Sequence, residues 1–170
     1  MKTRHTLWAT SLLLASFASV AGSNGYKMVV IEEDLIAVAI NADNISSVLT
    51  AEKLANTDDV FARQMSLCVA YAKTEQFDLA EKACHKAVIV SRQNATRPSE
   101  IDRELKSYAY SNRGVAKMLK GDNIGALADF QRADEIESSS VSQHNLSKLI
   151  AQLNGPTEAR TAMLQTSSPE

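Results

Sequence analysis

Aromatic residues are scarce in this chain, at 5%, and cysteine occurs only twice, as Cys68 and Cys84. Two cysteines permit one bridge, which excludes a scaffold held together by disulfides in place of a core. The 6 glycines and 3 prolines stand singly at points of punctuation, so no glycine-rich phosphate loop is present. The 3 histidines are equally uninformative as chemistry. None has an acidic or cysteine neighbour at the spacing of a metal site or a catalytic triad. Cys84 and His85 are adjacent, and on a helix adjacent side chains point different ways. Basic charge is not in excess, with 18 Lys and Arg against 20 Asp and Glu and no basic stripe. That balance argues against a nucleic-acid partner. No catalytic residue, metal ligand or cofactor is therefore expected.

Long apolar runs are also missing beyond the N-terminus, where three zones follow one another. Lys2 and Arg4 give a positive start, and Leu7 to Val20 is apolar apart from small hydroxyl residues. Ser19-Val20-Ala21 then precedes Gly22, with small residues at the two positions a signal peptidase reads. This is the pattern of a cleavable secretory leader over residues 1–21, with an apolar core too short to span a bilayer stably. The cleavage site directly behind it disfavours a retained anchor. The first cysteine is Cys68, which excludes lipid attachment at a new N-terminal cysteine. Cleavage removes two basic residues and no acids, so the net charge moves from -2 to -4. What remains, residues 22–170, suits one domain with a real core. The expectation is a periplasmic or secreted protein with no membrane insertion after cleavage.

Abundant alanine and few aromatics favour closely packed helices. Residues 22–33 read as an extended lead. Within it Tyr26 to Ile31 is strand-like, but a lone short strand has no sheet to join. Apolar spacing predicts helices from Asp34, from Ile45 to Leu54, and from Val60 behind the acidic cap of Asn56-Thr57-Asp58-Asp59. Thr74-Glu75-Gln76 breaks the last of these, and Leu79, Ala80, Ala83, Cys84, Ala87 and Val88 mark the next. Asn94 to Pro98 form a loop. Ser99 with Asp102 has the spacing of a capping box, opening a helix from Ile101 to Lys120. Gly121 supplies a left-handed cap and Asp122 caps the following helix. Ser138-Ser139-Ser140 connects to a final helix, expected to stop at Asn154-Gly155-Pro156 and to leave residues 155–170 as a tail, with a short further helix from Ala159.

The chain also repeats itself. Aligning residues 61–92 with 107–137 places Cys68 on Gly114, Ala80 on Ala126, Cys84 on Phe130 and Ala87 on Ala133. Asn145-Leu146-Ser147 lies 33 residues after Asn112-Arg113-Gly114. Both copies carry two small residues 12 apart and then an alanine, with a large apolar residue between in the second copy (Phe130) and Cys84 in its place in the first. On these residues the chain resembles a tetratricopeptide repeat protein over residues 34–154, with 34–57 as a decayed first repeat. The two clear copies are offset by 46 residues and not 34, so an insertion falls around Asn94 to Leu105.

The resemblance implies an all-α fold, a short right-handed superhelix of about three stacked helix pairs behind the extended lead. It implies a concave groove lined by the first helix of each pair. The residues at those positions are Met65 and Val69, then Tyr108, Ser111, Asn112, Val115 and Met118, then His144, Asn145 and Lys148. For Met65, Val69 and Val115 ordinary core packing is the alternative. Met65 and Val69 replace the polar clamp that some members use for a terminal carboxylate. A mixed apolar groove of this kind suits an extended peptide or a helix of another protein. The resemblance also places Cys68 and Cys84 on facing helices, which implies a disulfide. The alternative there is two small buried residues chosen for size. The function expected is that of an adaptor or scaffold, a monomer or weak oligomer, against an obligate helper subunit of an envelope enzyme or secretion complex.

Overall fold

The computed structural model describes residues 17–21, 25–31, 40, 59–93 and 99–165, with side chains described for 25–31, 40, 59–93 and 99–155. Among them two strands precede five helices. The strands are β1 (Phe17–Ala21) and β2 (Lys27–Ile31); the helices are α1 (Val60–Lys73), α2 (Phe77–Gln93), α3 (Glu100–Lys120), α4 (Asn123–Ile136) and α5 (Ser140–Gln165). The helices expected over residues 34–39 and 45–54, the decayed repeat and the Asn94–Pro98 loop lie outside the described residues.

Local signals set the helix ends. Asp59 accepts from the backbone N–H groups of Phe61 and Ala62 at 2.9 and 3.0 Å, filling two of the donors a helix start leaves open. Ser99 and Asp102 form the reciprocal capping box of α3. Gly121, at φ 92°, closes α3 in the left-handed region, and Asp122 then caps α4 through the Gly125 N–H at 2.9 Å. Glu75 does a glycine's work between α1 and α2, with φ 59°, while the Gln76 N–H returns to the Tyr71 carbonyl at 2.9 Å.

Short turns make α1–α2 and α3–α4 hairpins, and each helix packs on the next along the chain. The alternate helices α1, α3 and α5 also touch, and β2 lies against all three. Small residues permit this closeness. Cys68, Ala80, Gly114 and Ala126 are all buried. A Cβ placed on Gly114 would stand 2.5 Å from the Phe130 ring, closer than any methyl can sit. The hole at Gly114 is therefore filled by Phe130 of α4.

Cys68 and Cys84 are joined by a disulfide between α1 and α2, with 5.0 Å between their Cα atoms. A second staple joins α3 to α4. Arg113 meets both carboxylate oxygens of buried Asp129, at 2.7 and 2.6 Å, and Lys117 reaches the same carboxylate at 2.9 Å. An in-plane fork on a carboxylate is the strong form of an ion pair.

Two expectations are corrected. Tyr26 to Ile31 does have a strand to join, because β1 pairs with β2 antiparallel from Phe17↔Ile31 to Ala21↔Lys27. The final helix does not stop at Asn154-Gly155-Pro156 but runs to Gln165. Proline fixes φ in the helical range, so it costs the helix a hydrogen bond without forbidding the conformation. No described helix is long and apolar enough to cross a membrane.

Candidate peptide-binding groove

The groove begins with a difficulty that β2 carries in its sequence. Met28, Val29 and Val30 all need burial, yet a buried strand leaves backbone N–H and C=O groups that must find partners. β2 solves the first problem by running across α1, α3 and α5, where its alternate side chains enter different parts of the core. Tyr26, Met28 and Val30 join a cluster with Leu67, Val69, Val115, Phe130 and Leu149. Val29 points the other way, among Phe61, Met65, Val88 and Tyr108. All four strand-region side chains are 2% exposed or less. Burying a side chain of this size contributes about 1.5–3 kcal/mol.

Two asparagines solve the second problem. The Asn112 amide of α3 accepts from the Val29 N–H at 2.9 Å and donates to the Val29 carbonyl at 2.8 Å. The Asn145 amide of α5 treats Lys27 in the same way, at 2.8 and 2.7 Å. Asn145 also donates to the Ser111 hydroxyl at 2.9 Å, which holds its amide in position from behind. Both amides thus imitate a neighbouring β-strand, meeting every second residue along one edge of β2. Each backbone group left unpaired in such a place costs about 1–3 kcal/mol. In the repeat register Ser66 takes the corresponding place on α1. It is buried, its hydroxyl makes no hydrogen bond among the described residues, and it lacks the amide's two-atom fork.

The N-terminal end of the strand is anchored separately. Gly25, at φ 75°, lets the backbone turn into the groove, and its carbonyl meets His144 Nε2 at 2.9 Å. The Tyr26 hydroxyl donates to Gln152 Oε1. Its ring stacks on Phe130, with centroids 5.9 Å apart and planes 12° from parallel, and the Lys148 ammonium sits 5.5 Å from the ring centre. Burial raises the Tyr26 phenol above its ordinary value of 10.0.

The residues expected to line a groove are therefore brought together, but the groove is filled. Asn112, Asn145, Ser111, His144 and Lys148 hold the strand or support its holders. Met65, Val69 and Val115 lie beneath it in the core, and Met118 packs at its margin. Tyr108 turns its hydroxyl to Glu104, donating at 2.6 Å, and packs in the cluster that receives Val29. The expectation of an open surface is corrected: the chain's own residues 25–31 occupy it. The residues that sequence reasoning missed are Tyr26, Gln152 and the stacking role of Phe130. A signal for the first was present, since Tyr26 to Ile31 is an apolar strand without a sheet in a chain of helices.

Comparisons with protein-family models, with curated proteins and with solved structures found no match to this chain.

Proposed function

We propose that this protein is an exported, non-enzymatic adaptor of the tetratricopeptide kind, which binds an extended segment of another protein beside the strand β2 that its α1, α3 and α5 hold. The observation that carries this reading is the pair of asparagine amides on β2. They bind main chain alone, through a pattern any extended segment presents, so the helical array is built for strand and not for helix. The 33-residue step between the two amides agrees with the repeat register. Residues 1–21 have the character of a leader, and the Cys68–Cys84 disulfide suits an oxidising compartment such as the periplasm.

The reading is tested by affinity capture from an envelope extract on the exported, unreduced chain, followed by lysine-directed cross-linking. One protein should be retained, and its cross-links should fall on Lys27, the first residue of β2, and on Lys148, whose ammonium sits over the Tyr26 ring. Cross-links confined to Lys82 and Lys86 on α2 would place binding on another face and contradict the assignment. An obligate helper subunit would instead aggregate when purified alone, which light scattering distinguishes directly.

A further inference from the structure

The two edges of β2 are satisfied by different means, and only one of them belongs to the helical array. The N–H and C=O groups of Lys27 and Val29 point to Asn145 and Asn112. Backbone groups alternate along a strand, so those of Met28 and Val30 point to the opposite edge. There they face Val20 and Ala18 of β1, in the register Met28↔Val20 and Val30↔Ala18. The last pair of that ladder is Ala21↔Lys27. A cut between Ala21 and Gly22 would thus separate β1 from β2 at the residue where their pairing ends.

We propose that leader cleavage opens the outer edge of β2, and that this edge is the docking site of the adaptor. Its occupant is an extended, uncharged, small and apolar segment of a partner protein, adding antiparallel to β2 in the place of β1. The inference rests on the leader reading of residues 1–21 and names the chemistry of the partner. Without β1, the N–H and C=O groups of Met28 and Val30 lose their partners beside a buried apolar strand. Restoring those bonds is what would drive strand addition. The chemistry of the occupant follows from β1 itself. Phe17-Ala18-Ser19-Val20-Ala21 carries no charge and, after Phe17, little bulk, and its presence beside β2 shows room for one strand. A partner segment needs only that room. A second copy would have to bring its own helices alongside. Displacing β2 from the groove is the more costly alternative, because its side chains are core residues.

The test uses the full chain with a specific protease site placed in the 22–24 connection, so that cutting does not depend on a signal peptidase. A labelled synthetic peptide of residues 16–21 is the probe, with binding followed by fluorescence anisotropy and fold by circular dichroism. After cutting and removal of the leader fragment, the peptide should bind saturably at one site per chain. Binding to the uncut chain should be about ten-fold weaker or less, because the edge is occupied there. Backbone N-methylation of the peptide at Ala18 or Val20 should weaken binding about ten-fold or more, while N-methylation at Ser19, whose N–H points away, should not. Equal binding to cut and uncut chain, or equal sensitivity at Ser19, would overturn the proposal. So would a cut chain that unfolds, since β1 would then be an indispensable strand. A cut chain that dimerises and excludes the peptide would assign the edge to a second copy instead. The mass of the exported natural chain separates the two readings. A chain retaining residues 1–21 sinks the leader, whereas the peptide result alone decides the docking edge.

Discussion

Asn145 repeats, one 33-residue step along the chain, what Asn112 does: each turns both ends of its side-chain amide onto one residue of β2. The residues gripped, Lys27 and Val29, are two apart, which is the strand's own period. A helical array and a strand have incommensurate geometries, and the reach of two asparagine side chains reconciles them.

Replacing Asn112 removes partners from two buried backbone groups at once. Asn112→Ala is expected to destabilise the protein by about 2–6 kcal/mol in urea denaturation, given about 1–3 kcal/mol for each orphaned group. Asn112→Asp should be no better near neutral pH, because a carboxylate accepts from the Val29 N–H but opposes its carbonyl. Asn145→Ala should cost less, since its bonds to Lys27 are only partly buried. A cost below that of an ordinary surface change in Asn112→Ala would show that the amide is not holding the strand.

Gly114→Ala tests the close approach of α3 and α4. The new methyl would meet Phe130 at 2.5 Å and force the ring that stacks on Tyr26 to shift. Overpacking of this kind costs about 1–3 kcal/mol. Phe130→Leu in the same chain should recover part of the loss, a coupling that a double-mutant cycle reads directly.

The disulfide closes a loop with a sequence separation of 16. Its removal by Cys68→Ala with Cys84→Ala is expected to cost about 3 kcal/mol, chiefly by freeing the unfolded chain. Thiol titration of the denatured, unreduced protein should find no free thiol at either position.

Alkaline titration reports on the strand anchor. Tyr26 is held above its ordinary value of 10.0 by burial, and Tyr108 by burial together with its hydrogen bond to Glu104. Both groups favour the protonated form in the folded state. Their contribution is fully present below pH 10.0, the ordinary value, and is lost as the pH rises beyond it. Tyrosinate absorbance should show a late component that coincides with unfolding, and Tyr26→Phe should reduce it. Ionisation of all tyrosines near their ordinary value, in a folded protein, would contradict the burial of Tyr26.

Much of this fold is legible in the residues. Asp59, Ser99 with Asp102, Gly121 and Asp122 are local signals with local causes, and each marks a helix end. The pairing of Cys68 with Cys84 and the faces of α1, α3 and α5 follow from the repeat register, as does the place of Asn112 and Asn145. What the register does not carry is the occupant. Tyr26 to Ile31 looks like a strand without a sheet because its partners are two side chains far along the chain, and β1 is disguised by the character of a leader. The stop expected at Gly155-Pro156 fails for a simpler reason, that both residues can sit in helical backbone at a cost.

Two amides of a helical array hold the chain's own strand, and amide hydrogen exchange on the full chain reads that grip residue by residue. The Val29 and Lys27 N–H groups should be protected, and Asn112→Ala should strip protection from Val29 while the amides of α2 keep theirs. Fast exchange at Val29 in the parent, or protection unchanged in the variant, would contradict it.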